Sequence, residues 1–236
     1  MRSALAPIGK SGMAQDHQQN YILSSLSKSD YGLLEDHLEP VDLPVRKVLE
    51  RRGRKITAIY FPESGFASVV ANGAIRPIEV GIIGREGMTG LTVVLGDDSN
   101  ANEVFMQVGG QGHCMRVQDF RQALDASVTL HRSLLRYLHS FLEQTTRTAV
   151  ATGRSKIEER LACWLLMADD RIDGPIPLTH EFLAIMLGVR RPGVTVAVQE
   201  LERAGMIARK RGHIVIVDRE ALEKLSNGAY LPADYS

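Results

Sequence analysis

Apolar positions between residues 41 and 117 come in short runs rich in β-branched and aromatic side chains. Gly, Pro, Asn and Asp separate these runs at intervals of about ten residues, which is typical of short antiparallel strands joined by turns. The pattern predicts a compact antiparallel barrel or sandwich. Its predicted strands include residues 57–61, 67–71, 75–83, 93–95 and 104–108.

A long helical pattern follows the predicted β-domain. Residues 128–152 contain neither Pro nor Gly, and a seam of positions recurs there at alternating steps of three and four. This heptad pattern predicts one helix over residues 128–153, followed by a hinge at 153–155. The seam consists of His131, Leu134, Leu138, Phe141, Thr145, Thr148 and Thr152.

The seam has two interpretations: the helix packs on the β-domain of its own chain, or it pairs with the same helix of a second copy. We favour the second, a homodimer, because Leu135, Leu142 and Ala149 flank the seam. The flanking residues allow one side of the helix to face the β-domain while the other side faces a partner. The segment is therefore predicted to be a dimerisation helix.

The whole chain is predicted to have an α+β fold in four parts. Residues 1–20 are polar and predict a mobile tail. Residues 21–127 form the first domain, which starts with short helices within 21–38 and continues with the predicted strands. The dimerisation helix at 128–153 then leads to a smaller C-terminal domain at 154–236.

Residues 178–217 carry the clearest functional pattern. Thr179 is a helix N-cap candidate, and Gly188 stands where a turn between two helices needs a left-handed backbone. After the second helix, residues 209–213 form the basic tip of a predicted hairpin. Two short helices joined by a glycine turn and followed by a hairpin indicate a winged helix-turn-helix, whose second helix enters the major groove of DNA. The inner face of that helix is predicted to contain Val194, Val198 and Leu201.

Charge favours a nucleic-acid partner only locally. The chain has 28 Lys and Arg against 28 Asp and Glu, so its net charge is zero. Between Gly188 and His213, six basic residues stand against two Glu, a local balance of +4. Such a patch supplies most of the affinity for phosphate groups, although solvated surface charge is the alternative. Together with the helix-turn-helix pattern, the patch predicts binding to double-stranded DNA.

Four segments carry a resemblance to a known family: IYFPESG at 59–65, VGIIGREGMTGL at 80–91, ERLACWLLMADDR at 159–171 and LTHEFLAIMLGVRR at 178–191. From about residue 21 onward the chain resembles the CRP/FNR family of bacterial transcription regulators. The resemblance implies a β-roll sensor domain, a dimerisation helix and a winged helix-turn-helix that reads a two-fold-related operator. It also implies RNA polymerase as a partner.

The resemblance assigns DNA contacts residue by residue. Thr179 and Arg190 fall on phosphate contacts of the family, and Arg191 falls on an arginine that reads guanine O6 and N7. Pro192 and Val196 replace base-reading residues of the family, so the operator is expected to differ from the familiar sites. The full set of predicted DNA-contacting residues is Thr179, His180, Arg190, Arg191, Gly193, Thr195, Arg211 and His213.

An effector site is predicted only in outline. Family members that bind a cyclic nucleotide carry Gly-Glu followed by Arg-Ser, whereas residues 90–114 here contain no Lys or Arg. A buried phosphate without a cation is costly, so cyclic AMP is not expected, and any small-molecule effector is unidentified. The candidate effector residues are Gly90, Leu91, Thr145 and Thr146, although a purely polar role in helix register is the favoured interpretation of the two threonines.

Other functions find no support in the sequence. No apolar stretch reaches the length of a membrane span, and the N-terminus lacks an apolar signal core, so a cytoplasmic location is expected. No metal site, cofactor or enzyme motif is expected, because Cys114 and Cys163 stand far apart and no catalytic motif occurs. The remaining alternative to a DNA-binding regulator is a cyclic-nucleotide-type binding module that acts through protein partners.

Overall fold

The computed structural model describes residues 18–72, 77–177 and 179–232. Most of the predicted tail, residues 1–17, lies outside these ranges, as does the start of the predicted strand at 75–83. Within the described ranges, no helix combines the length and the apolar character that a bilayer crossing requires.

The prediction of a mobile tail is wrong at its C-terminal end, because Asn20 is fully buried. The side-chain oxygen of Asn20 accepts the N–H of Leu23 at 3.2 Å. Its amide nitrogen donates to the carbonyls of Pro62 and Gly87, both at 2.8 Å. These bonds satisfy a buried polar side chain, so the folded domain includes Asn20.

The N-terminal domain begins with two short helices, as the sequence predicts: α1 (Tyr21–Ser25) and α2 (Lys28–Glu35). Ser27 caps α2, since its hydroxyl accepts the N–H of Asp30 at 3.1 Å. Seven strands of this domain follow within the described residues. They are β1 (Glu39–Leu43), β2 (Val48–Glu50), β3 (Ala58–Pro62), β4 (Phe66–Asn72), β5 (Pro77–Ile83), β6 (Glu103–Val108) and β7 (Gly110–Arg116).

The strands form two antiparallel sheets with the orders β1-β7-β3 and β2-β6-β4-β5. Alternate side chains of these strands enter the core; Ile59 and Phe61 of β3, for example, are fully buried. The predicted antiparallel β-roll is therefore confirmed.

The predicted strand at residues 93–95 is wrong, because this stretch belongs to a short helix, α3 (Leu91–Val94). Gly90 has a φ of +77°, and its carbonyl accepts the N–H of Val93 at 2.9 Å. A short apolar run suits a buried strand or a buried helical turn equally well. The tight turn at Gly90 decides between them, since glycine adopts this backbone without strain.

A helix, α4 (Val117–Ala126), leads into the long helix α5 (Val128–Arg154). Ser127 caps α5 by accepting the N–H of Leu130 at 3.2 Å. The helix runs through Gly153 and ends where Ser155 adopts an extended backbone. The predicted helix and the position of its end are thus close to the structure.

The apolar half of the predicted seam faces its own β-roll. Leu134 is buried, and Leu138 and Phe141 pack against the core of the N-terminal domain. A contact between two copies therefore does not lie at these three residues, because the β-roll of the same chain covers them, whereas the homodimer itself stays a prediction. The flanking residues Leu135 and Leu142 are exposed, at 40% and 62%.

The C-terminal domain packs its helices on a small antiparallel sheet. Its elements are α6 (Ile157–Asp169), β8 (Ile176–Pro177), α7 (His180–Met186), α8 (Arg191–Arg203), β9 (Ile207–Lys210), β10 (His213–Ile216) and α9 (Arg219–Leu225). The sheet has the order β8-β10-β9. Helices α7 and α8 with the hairpin β9–β10 form the predicted winged helix-turn-helix.

The C-terminal domain docks on β4 and β5 of the β-roll. The ring of Trp164 packs edge-on against Phe66, with ring centroids 6.0 Å apart, and its indole N–H donates to Glu79. Two nitrogens of Arg171 donate to Glu86 Oε1, each at 2.8 Å. These contacts position the helix-turn-helix relative to the β-roll.

Candidate nucleic-acid interface

Two helices and a tight turn position the predicted DNA-contacting residues. Thr179 caps α7, since its hydroxyl accepts the N–H of Phe182 at 3.3 Å. Gly188 has a φ of +61°, as the sequence predicts for the turn. The guanidinium of Arg160 donates to the carbonyl of Leu187. This bond ties the turn to α6 and so sets the angle at which α8 begins.

Helix α8 buries one face and exposes the other. Val194, Val198 and Leu201 are buried, which confirms the predicted inner face. Arg190, the N-cap residue, and Arg191, the first helical residue, are exposed. The outward side of the helix therefore begins with two guanidinium groups, each with five donors that suit phosphate or guanine.

Three of the predicted DNA-contacting residues also hold the domain together. Thr195 Oγ1 lies 3.1 Å from His180 Nδ1 and donates to the carbonyl of Arg191, which links α8 to α7. A Cβ atom on Gly193 would lie 3.3 Å from Ile157 Cδ1, so glycine allows α8 to approach α6 closely. The sequence contains no sign of these internal roles, because they depend on how the helices cross.

The wing is a hairpin with a two-residue tip. Lys210 pairs with His213 across the strands, and Arg211 and Gly212 form the turn, where Gly212 has a φ of +75°. Lys210, Arg211 and His213 are all exposed. His213 Nδ1 lies 3.0 Å from the carbonyl of Arg211, which orients the ring at the tip.

One cation of the wing is neutralised within the domain. Arg209 forms an ion pair with Glu202 at 2.6 Å, and its hydrogen bond to this carboxylate lowers the pKa of Glu202. The remaining positive charge of the wing therefore sits at its tip, on Lys210 and Arg211. The local basic patch is thus narrower than the count of residues in the sequence suggests.

The backbone N–H of the candidate effector residue Gly90 already has a hydrogen-bond partner, the carboxyl group of Glu50. It donates to Glu50 Oε1 at 2.6 Å, and the amide of Asn100 donates to Glu50 Oε2 at 2.7 Å. Glu50 is 4% exposed, and burial raises the pKa of its carboxyl group, partly offset by these two hydrogen bonds. The carboxyl group of Glu50 therefore accepts the hydrogen bond that the backbone N–H of Gly90, beside Leu91, can donate.

The two candidate effector residues of the long helix, Thr145 and Thr146, form their side-chain hydrogen bonds within that helix. The hydroxyls of Thr145 and Thr146 both donate to the carbonyl of Leu142, each at 2.8 Å. The loop before Gly90 contacts the long helix at Tyr137, whose hydroxyl donates to the carbonyl of Met88 at 3.3 Å. Tyr137 lies about 12 Å along the helix axis from Thr145. The two halves of the predicted effector site therefore contact separate parts of the structure.

Sequence reasoning missed the residues that couple the two domains. Glu79 is a charged residue in the otherwise apolar strand β5 and is 4% exposed. An acidic residue inside an apolar run indicates a buried contact with a polar partner, since a buried acidic side chain needs one. The identity of that partner, Trp164, depends on a contact 85 positions along the chain and has no local signal.

Comparison with known proteins shows what the C-terminal domain and the whole fold are similar to. Residues 159–225 match the model of the Crp-like helix-turn-helix domain. No curated protein sequence matches the chain. Among solved structures, the chain is similar to FixK2 from Bradyrhizobium japonicum, with a TM-score of 0.69 at 17% identity over 80% of this chain and 96% of that one.

Two further solved structures have the same fold. A CRP-family transcriptional regulator from Thermus thermophilus gives a TM-score of 0.68 at 16% identity, over 83% of this chain and 100% of that one. The c-di-GMP-responsive global regulator CLP from Xanthomonas campestris gives 0.66 at 16% identity, over 80% and 99%. Residues 159–225 thus match the Crp-like helix-turn-helix domain, and the chain has the fold of CRP/FNR-family transcription regulators, as its resemblance to that family predicts.

Proposed function

We propose that this chain is a transcription regulator that binds double-stranded DNA as a homodimer. The observation that carries the proposal is the outward presentation of Arg190 and Arg191 at the start of α8, on the same domain as the exposed wing residues Lys210 and Arg211. In a chain without net charge, these cations form a local surface for phosphates and base edges. The role is one of binding, and no catalytic step is assigned.

The long helix supports the two-fold arrangement. Its exposed apolar residues Val128, Leu135, Leu142 and Val150, here called the exposed stripe, follow one another at steps of seven, seven and eight. This spacing keeps them on one side of a helix, as in a coiled coil. A second copy that covers the stripe would present two recognition helices, which need to lie about 34–36 Å apart to enter successive major grooves.

The proposed function does not include a cyclic nucleotide as the effector. The hydrogen bonds of Glu50 to Gly90 and Asn100 support a β-roll that needs no cyclic nucleotide phosphate at this position. Contact with RNA polymerase is a later step, for which operator binding is the prerequisite.

Selection of bound fragments from random duplex DNA, with and without small-molecule cell extract, tests the proposal. We expect enrichment of a two-fold-related sequence with half-sites about one helical turn apart. Affinity for that sequence is expected to fall steeply as salt rises, because cations released from DNA drive the binding. A pool without enrichment in both arms would instead favour a module that acts through protein partners.

A further inference from the structure

A cavity of about 900 Å³ lies where the long helix, the N-terminal domain and the C-terminal domain meet. The N-terminal domain contributes Ile22 and Glu86 to its wall, and the C-terminal domain contributes Met167 and Arg171. One face of α5, which includes Ser140, forms the third wall. The volume is within the range of small-molecule sites, and any occupant would touch both domains at once.

One end of the cavity contains an acceptor without a donor. Arg171 and Gly84 both donate to Glu86 Oε1, the guanidinium at 2.8 Å and the backbone N–H at 3.1 Å. Glu86 Oε2 is buried and has no hydrogen-bond partner among the described residues. The Glu86 side chain is only 9% exposed. A buried carboxylate oxygen without a donor is costly, so this end of the cavity suits a ligand that brings a hydroxyl or amino group.

The other end of the cavity contains a cation. Arg147 donates to the carbonyl of Gly228 at 3.1 Å, and within the described residues it forms no ion pair with a carboxylate. It follows Tyr137, which lines the Glu86 end, by ten positions and therefore lies about 15 Å farther along the helix axis. The remaining nitrogens of Arg147 suit a carboxylate or phosphate group.

The wall between the two polar ends contains an apolar strip, to which Phe141 of α5 and Cys163 and Met167 of α6 contribute. Ser140, Glu143 and Gln144 of α5 also line the cavity, so this part of the wall is mixed. The cavity is thus an elongated slot with a hydrogen-bond acceptor at one end, a guanidinium group at the other and an apolar strip between them.

The Ser140 side of the slot and the exposed stripe lie on different sides of α5. Ser140 lines the cavity, whereas Leu142 belongs to the exposed stripe. Two positions along a helix correspond to a rotation of about 200°, so these side chains point to nearly opposite sides. A second copy on the exposed stripe would therefore leave the Ser140 side of the slot uncovered.

We propose that this slot binds an elongated organic acid, with its acid group on Arg147, an apolar chain along Phe141 and Met167, and a hydroxyl or amino group that donates to Glu86. Because the ligand contacts both domains, its binding changes their coupling and hence the affinity for DNA. This regulatory consequence, unlike the binding site itself, rests on the proposed function.

Isothermal titration calorimetry of the full chain with 12-hydroxydodecanoate, below its micellar concentration, tests the site without DNA. We expect saturable binding, with dodecanoate at least threefold weaker because it lacks the hydroxyl group. Arg147→Ala is expected to weaken binding at least tenfold. Arg132→Ala, an exposed arginine of the same helix outside the cavity, is the matched control and is expected to bind as the unaltered chain does.

The Ser140→Phe variant tests the site without any change at Arg147, because its phenyl ring fills the slot from the wall. This variant is expected to abolish binding while its thermal unfolding stays cooperative. Absence of binding to the unaltered chain, or equal binding to Arg147→Ala, Arg132→Ala and Ser140→Phe, would overturn the site.

The effect of the probe on DNA binding is measured separately, with an operator obtained by selection. The probe is expected to change operator affinity at least threefold, and the operator is expected to change probe affinity by the same factor. Salt-dependent DNA binding without probe binding would refute the site alone. Probe binding without DNA binding would refute the proposed function alone.

Discussion

Trp164 donates its indole N–H to Glu79 Oε1 at 2.5 Å, across the boundary between the C-terminal domain and the β-roll. Glu79 Oε2 is buried and has no hydrogen-bond partner among the described residues. Burial raises the pKa of Glu79 to about 8, and Ser68, Trp164 and Arg171 offset only part of this effect. The contact between the two domains therefore includes a carboxyl group whose protonated form burial favours.

Stability is expected to fall with rising pH because of Glu79. Between its ordinary pKa of 4.5 and about 8, the folded chain retains a proton that the unfolded chain releases. Glu79 thus stabilises the fold below pH 4.5, relative to alkaline pH, and this contribution is lost as pH rises through about 8, at up to about 1.4 kcal/mol per pH unit. Urea unfolding at several pH values between 5 and 9 measures the slope.

The Glu79→Gln variant distinguishes the contribution of Glu79 to the pH dependence of stability from the contributions of other titratable groups. Glutamine retains an acceptor for Trp164 but has no proton to release, so the variant is expected to show a flatter stability profile above pH 5. Glu220→Gln, at an exposed position of α9, is the control and should leave the profile as it is. A Glu79→Gln profile parallel to that of the unaltered chain would contradict the assignment.

Arg191 and Arg211 are expected to contribute differently to DNA binding. Arg191→Ala should cost about 1–3 kcal/mol at one base pair of each half-site, because it removes a bidentate contact with a base. Arg211→Ala should weaken binding to all sequences alike and reduce the salt slope by about one, as expected for a phosphate contact. Affinities for a panel of operator variants at several salt concentrations distinguish the two effects.

Arg203→Ala supplies the matched control for these variants. Arg203 is exposed at the opposite end of α8, so the variant loses the same charge without a contact at the start of the helix. Equal losses on every operator variant for Arg191→Ala would reject its base-reading role.

Leu142→Asp is expected to separate the proposed dimer. The side chain is 62% exposed in the single chain, and burial of a leucine contributes about 1.5–3 kcal/mol. Two copies of the change should therefore raise the dimer dissociation constant by at least a hundredfold and weaken operator binding in parallel. Analytical ultracentrifugation over a range of concentrations measures the dimer.

Val45→Asp is the control for surface charge, since Val45 is 52% exposed in the loop between β1 and β2, beside Gly109. This variant should remain dimeric. If Leu142→Asp and Val45→Asp sediment alike, the exposed stripe is not the dimer contact.

The local features of this fold are readable from the sequence because each has a nearby physical cause. Thr179 supplies an N-cap acceptor, Gly188 supplies a left-handed turn, and Val194 and Val198 share a helical face. Each of these signals acts within a few residues. The helix-turn-helix and the wing could therefore be predicted without a structure.

The remaining features depend on contacts between distant segments. Helix α5 has apolar residues on two sides, and no local property indicates that Leu134 faces the β-roll while Leu135 faces outward. Likewise, an apolar run near Val93 suits a strand or a helical turn. The partner of Glu79 and the cavity near Glu86 arise only when the two domains meet. Periodicity identifies a buried face but not what covers it.

Gly188→Ala tests whether the C-terminal domain docks on the β-roll in solution. At a φ of +61°, an alanine costs about 1–2 kcal/mol, and its Cβ atom would lie 2.9 Å from Ile78 Cδ1 of the β-roll. Gly205→Ala, at a φ of +75° with no atom within 4 Å of the new Cβ, has the backbone cost alone. We expect Gly188→Ala to lower the free energy of unfolding more than Gly205→Ala does. The excess should shrink in an Ile78→Val background, because valine lacks the Cδ1 atom. Urea unfolding of the three variants and the double variant measures this, and equal losses at both glycines would indicate that the two domains do not meet at Gly188.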